Sequence, residues 1–370
     1  MRQQSQKTLA HQITLANYKK IMNLHLITGG SGYVGSYIVK RLLELGEHVR
    51  IMDLWRDANL DPNIDFFNGD VTNPEDVAKA LEGVDYVHHT AALVPLTKAG
   101  INFEKVNFNG TQIVIEKSIE NKVKHVSHIS SSAIFGLPKI VPIDENTEYG
   151  PLEIYGRSKK KADDFVIDLI KQGKPVSTIR PRTIVGKERL GIFEILFEWI
   201  HDNANIFIIG KGDNLFQFVH IDDLVETSIN ACLMEKPGIF NVGAEEFGTL
   251  RDDLVSLIQH AQSRSRVIGL PVSLTIAILR IMDILRLSPL GPWHYLTYHK
   301  PFYFDIEKTK ETLEWQPKYS NIEILTTAYD WYVQNMDDFR YSSGNKSGSM
   351  HRQPLKKGLL NFAKLLSRLF

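Results

Sequence analysis

The sequence predicts an α/β protein, a parallel, doubly wound sheet with a smaller C-terminal lobe interleaved with it. Three observations predict this. Short apolar runs of strand length alternate with helical patterns through the first half of the 370 residues. The first such run leads straight into a glycine-rich turn, TGGSGYVG at 28–35. Past Gly186 the alternation breaks down into shorter elements.

Strands are expected at 23–28, 48–53, 64–68, 86–89, 125–130 and 177–180, with helices between most of them. The glycine turn joins the first strand to a helix over 33–45. Such a turn lets backbone approach a pyrophosphate, and the helix N-terminus meets it with free N–H groups and a positive dipole end. Gly29, Gly32 and Gly35, with Tyr33 and Val34, are therefore candidate cofactor contacts. Asp53 closes the second strand, 18 residues after Gly35. A carboxylate there accepts the ribose hydroxyls of an adenosine and repels a 2′-phosphate, which favours NAD over NADP. After the third strand, Asp70 is placed to accept from the adenine amino group, with Val71 against the ring. After the fourth, Ala91 and Ala92 let a dinucleotide lie close to the backbone, while His89 reads as a structural histidine.

In the second half a helix is expected at 191–201, strands at 205–209, 217–221 and 238–242, and helices at 222–234 and 249–262. The expected organisation is a disordered polar extension (1–21), a dinucleotide-binding unit (22–187, its sheet returning near 217–243) and a substrate lobe (188–335). A linker (336–354) and a basic amphipathic tail helix (355–370) follow.

Basic and acidic residues balance at 43 each, so nothing global points to nucleic acid. The single cysteine, Cys232, allows no disulfide framework and fits a reducing cytoplasm. There is no CxxC or HxxxH, and no metal is expected. No run reaches the roughly 20 apolar residues of a membrane span. The apolar stretch at 270–287 is broken by Arg280, Asp283 and Arg286. In the tail, Lys356, Lys357, Lys364 and Arg368 oppose an apolar face, the pattern of an interfacial helix. The expected setting is cytoplasmic, with peripheral membrane contact through 355–370 or 270–298.

The catalytic chemistry is expected at Tyr155 and Lys159, a phenol and an ammonium on one helix face. A tyrosine with a pKa near 10 is a poor base. A nearby cation, and the positive nicotinamide of an oxidised cofactor, would bring it toward the working pH. Ser130, Ser131 and Ser132 end the fifth strand and offer a hydroxyl to the substrate oxygen.

With these residues in place the chain resembles an extended short-chain dehydrogenase/reductase. That group holds NAD-dependent epimerases, sugar-nucleotide dehydratases and 3β-hydroxysteroid dehydrogenases. The similar motifs are TGGSGYVG (28–35), NGDVTN (68–73), HTAA (89–92), VNFNGT (106–111), SSSAIFG (130–136), YGRSK (155–159), RPRTIVG (180–186), FVHIDDL (218–224) and NVGAEEFGTL (241–250), in family order. The resemblance implies a Rossmann-type sheet, NAD as cofactor, a small-molecule substrate and a homodimer. It makes Tyr155 the acid/base and Lys159 its partner, with Ser131 as the catalytic hydroxyl and Ser132 as second candidate. Asn107 matches an asparagine near the active centre, and Pro181 falls beside the nicotinamide.

Departures narrow the reaction. The 4,6-dehydratases carry an Asp-Glu pair where this chain has Ser132 and Ala133, so that water elimination lacks its acid and base. Thr183 replaces an asparagine usual in sugar-nucleotide epimerases, and Phe216 replaces an arginine that grips the pyrophosphate. Arg182, Lys187 or Arg189 is a substitute; Arg182, Thr183 and Phe216 are the substrate candidates. The segment 270–298 resembles a hydrophobic insertion of the steroid-type branch, and it also reads as a core helix of the lobe. The main expectation is NAD-dependent redox at a secondary alcohol or ketone, by a sugar-nucleotide epimerase or related sugar-modifying enzyme. The alternative is a 3β-hydroxysteroid-type dehydrogenase on an apolar alcohol. A non-catalytic NAD-sensing protein is least favoured, because a sensor needs no phenolic base.

Overall fold

A computed structural model describes residues 22–341, except 59, 96–98, 190–191 and 286–291, together with Lys364. The expected extension at 1–21, and the tail apart from Lys364, lie outside the described residues.

Seven strands form one parallel sheet in the order β10-β6-β5-β4-β1-β2-β3. They are β1 (Leu24–Thr28), β2 (His48–Asp53), β3 (Asp65–Asn68), β4 (Tyr86–His89), β5 (His125–Ile129), β6 (Val176–Pro181) and β10 (Gly238–Val242). The chain winds outward in both directions from β1, so the carboxyl ends of β1 and β4 flank the crevice where strand order reverses. Ligands of open α/β sheets bind at that crevice.

Helices cover both faces. On one lie α1 (Tyr33–Glu44) and α6 (Ile221–Leu233), sharing a core of Ile38, Leu42, Ile51, Ile221 and Val225. On the other lie α2 (Pro74–Ala80), α3 (residues 102–120, π-helical over Lys105–Gly110) and α4 (Ile154–Lys171). Their core includes Val77, Val114, Ile115 and Val166.

The lobe holds two parallel strand pairs. One joins β7 (Thr183–Val185) to β9 (Phe218–His220); the other joins β8 (Ile206–Ile209) to β11 (Val267–Leu270). Around them pack α5 (Ile192–His201), α7 (Leu250–His260), α9 (Pro292–Thr297), α10 (Glu307–Thr312) and α11 (Asn321–Tyr341). The helix α11 runs into the stretch expected to be a linker.

Residues 272–284 form α8, which the apolar sequence also allows as a core helix. It has no buried residue; Leu274, Ile278, Ile281 and Ile284 all stand exposed. Among the described residues no helix is long and apolar enough to cross a membrane. Lys364 is buried, its ammonium 2.7 Å from Glu198 on α5 and 2.5 Å from Asp202 just after it.

Candidate active site

The glycine turn is built for close approach. Gly29 has φ +73°, and a Cβ there would lie 2.8 Å from the Ala91 backbone. A Cβ on Gly35 would lie 2.3 Å from the Gly29 carbonyl, so α1 meets the turn only without one. Gly32 caps α1, Tyr33 is buried with its hydroxyl donating to the Lys187 carbonyl, and Val34 packs beneath.

Asp53 stands beside this turn at the end of β2. Its carboxylate accepts from the Ser31 N–H at 3.1 Å and the Leu54 N–H at 2.8 Å. Burial pushes its pKa up, and those N–H groups pull it back. Arg56, a nearby cation that would weaken a preference for NAD, donates to the Asp61 and Pro62 carbonyls and lies over Phe66. Asp70 is engaged locally, accepting from the Thr72 N–H at 2.8 Å, and Val71 is buried. Ala91 and Ala92 follow β4 beside Gly29. His89 is enclosed between the Thr28 and Thr111 hydroxyls at 2.7 and 2.9 Å. Burial lowers its pKa to about 3, so it stays neutral. These residues fit NAD: the backbone is bare where a dinucleotide must touch it, and a carboxylate is fixed at the strand end.

Asn107 sits in the π-helical turn and is fully buried. Its amide clamps both backbone groups of Leu93, at 2.7 and 3.0 Å, and donates to the Ser158 hydroxyl at 3.2 Å. It ties the loop after β4 to α4.

Ser131 caps a short 3₁₀ turn (Ser132–Ile134), with its Oγ 3.2 Å from the Ala133 N–H. The same hydroxyl lies near the Tyr155 phenol. Burial pushes the Tyr155 phenol above its ordinary value; Ser131 and Arg189 act to lower it, and Glu153 to raise it. The Tyr155 ring meets Phe103 edge-on at 5.9 Å.

Lys159 lies on α4, one turn after Tyr155. Its ammonium is buried and donates to the Ile129 carbonyl at 2.6 Å, at the end of β5. Burial lowers its pKa to about 8, against the attraction of Asp163. Arg189 is a cation that acts to lower the Tyr155 pKa.

The RPR motif splits into two roles. Arg180 is fully buried and paired with Asp163 of α4 at 2.5 Å; its guanidinium also donates to Tyr149. Pro181 ends β6 opposite Val242. Arg182 is also fully buried, and its Nη1 donates to Ser132 Oγ at 3.2 Å. Thr183 starts β7 and lies near the half-buried Tyr298. Phe216 lies in the core, packed on Tyr298 at 4.9 Å and under the Arg182 guanidinium at 4.9 Å. Sequence reasoning did not anticipate Tyr298, Phe302 or Glu153 here. Glu153, the N-cap of α4, has a buried Oε1 without a partner among the described residues. The only signal available was its position two residues before Tyr155.

Comparison with known proteins agrees with this geometry. The family model described as "NAD dependent epimerase/dehydratase family" matches residues 25–243. An uncharacterized protein, y4nG of Sinorhizobium fredii, is 40% identical over 92% of this chain and 85% of its own. The UDP-glucose 4-epimerase of Lactobacillus helveticus is 26% identical over 83% of this chain and 96% of its own. The decarboxylating sterol-4-alpha-carboxylate 3-dehydrogenase of Mus musculus is 33% identical over 55% of this chain, a match spanning 58% of that enzyme. Motif order, sheet order and family match agree, and the chain belongs to the NAD-dependent epimerase/dehydratase family of extended short-chain dehydrogenases/reductases.

Proposed function

We propose that the protein oxidises and reduces a secondary alcohol or ketone at the Ser131–Tyr155 pair, and that its substrate is a sugar nucleotide or related sugar. The observation that carries the redox reading is that pair, a phenol in the first turn of α4 near the Ser131 hydroxyl, which caps the turn after β5. Bound NAD supplies the hydride acceptor. Tyr155 takes the substrate hydroxyl proton, and Ser131 holds the substrate oxygen while the phenol proton moves. Arg189 favours the phenolate at Tyr155. Lys159 would hold the nicotinamide ribose. If the ketone leaves, the enzyme is a dehydrogenase; if it turns over and is reduced on its other face, the enzyme is an epimerase.

The cofactor preference we propose is NAD over NADP, on Asp53 and on the engagement of Arg56 with backbone carbonyls. The sugar reading is supported by the near full-length similarity to a UDP-glucose 4-epimerase.

The exposed apolar side chains of α8 favour a second reading. An apolar alcohol presented at a membrane surface would be met there, and the sterol dehydrogenase similarity runs the same way. The two readings separate in one experiment: the purified protein is denatured and the released nucleotide identified. Near-stoichiometric NAD supports an epimerase that recycles its cofactor in place. An empty protein with weak, exchangeable NAD supports net oxidation of an apolar alcohol.

A further inference from the structure

Arg182 is 1% exposed, and no carboxylate contacts it among the described residues. Its guanidinium lies over the ring of Phe302 at 4.0 Å, with Phe216 at 4.9 Å and Phe304 at 5.8 Å. Rings against the face of a guanidinium hold its position but leave the in-plane N–H groups unbonded. Of those, Nη1 reaches Ser132. Nε and Nη2 have no hydrogen-bond partner. These two point the same way and form the side of the guanidinium that takes a planar two-oxygen anion with two parallel hydrogen bonds. An unpaired buried cation is expensive to keep, so its partner is expected to arrive with a ligand.

The surroundings place that ligand. Ser132 is bonded to Arg182 and follows Ser131, whose hydroxyl lies near Tyr155. Through Ser132, Arg182 stands one residue from the Ser131 hydroxyl of the reacting pair.

We propose that the substrate carries a carboxylate near its reacting carbon, and that the free edge of Arg182 holds it. A diphosphate lies further along a sugar nucleotide, away from the reacting carbon, and does not meet this edge. The proposal rests on the assignment of Ser131 and Tyr155 as the reacting pair.

The test uses the full chain saturated with NAD and reads binding by calorimetry. Two pairs of probes differ by one carboxylate: UDP-glucuronate against UDP-glucose, and 2-hydroxycyclohexanecarboxylate against cyclohexanol. The wild type is expected to bind the acid of at least one pair more than tenfold tighter than its neutral partner. Arg182→Lys keeps the charge but loses the two-pronged edge; it is expected to erase that preference and leave NAD affinity unchanged. The wild-type comparison needs no variant to fold. The proposal is overturned if neither pair shows a preference, if the preference survives in Arg182→Lys, or if the variant weakens both UDP-sugars equally. The last result would assign Arg182 to the diphosphate. Binding of none of the four also overturns it, while the redox reading stands or falls separately on NAD reduction in wild type and Tyr155→Phe.

Discussion

Acid should destabilise this protein as pH falls below about 6.5, because five imidazoles lie buried in the main sheet. They are His25 on β1, His88 and His89 on β4, and His125 and His128 on β5. His25 and His88 stack at 5.4 Å and share a 3.1 Å hydrogen bond; His89 and His128 stack at 5.8 Å. Burial holds His25 and His125 down to about 4 and His89 to about 3, and puts His88 and His128 well below their ordinary value. Unfolding returns each to about 6.5. The folded pKa lies below the unfolded one, so the unfolded chain takes up protons first as pH falls. Stability is therefore full above about pH 6.5 and is lost as pH drops toward 4. From about pH 7.5 to 5.5 each imidazole withdraws about 1.4 kcal/mol, or about 7 kcal/mol for the five. That is comparable with the whole stability of a typical domain, about 5–15 kcal/mol. Urea melts followed by circular dichroism at stepped pH should give a slope approaching five protons near pH 5.5. His125→Asn should lower it by about one. A free energy of unfolding that changes by under about 2 kcal/mol over that range would refute the reasoning.

Further outcomes follow from the site. Tyr155→Phe should lower turnover at least about a thousandfold with NAD affinity intact, read by cofactor titration beside activity. Gly35→Ala forces a Cβ to within 2.3 Å of the Gly29 carbonyl; it should cost about 1–3 kcal/mol in a thermal melt and weaken NAD binding. Asp163→Asn leaves Arg180 as an unpaired buried cation and should cost about 3–5 kcal/mol in urea melts. Asp53→Asn removes the charge that repels a 2′-phosphate, so the ratio of NADP to NAD affinity should rise, measured by titrating both nucleotides.

Most of the cofactor half was legible because its signals are local. Apolar runs ending in glycine or aspartate mark β1, β2 and β3, and the expected bounds of β2 and β4 are the observed ones. The short β7 and β11 were not anticipated, since each is defined by pairing with a strand tens of residues away. Composition also misleads at α8: an apolar segment reads as core until its neighbours are known. At the site, the spacing of Tyr155 and Lys159 set the helix face but not where the longer side chain ends. Lys159 finds a carbonyl at the end of β5, because α4 packs over that strand. The aromatic enclosure of Arg182 draws Phe302 and Phe304 from more than a hundred residues downstream, and no motif announces it.

The last strand of the sheet, β10, joins β6 only after the chain has passed through β7, α5, β8, β9 and α6. A fragment ending near residue 187 would carry the glycine turn, Asp53, Ser131 and Tyr155, and still leave β6 bare. All six residues of that strand are buried in the whole protein. Exposed, they would offer a straight row of unpaired backbone groups to other chains, and the fragment would aggregate rather than bind nucleotide. Chimeras between relatives must therefore exchange the span from β1 through β10 as one block, because the first and last strands of the cofactor sheet are sewn together by the lobe.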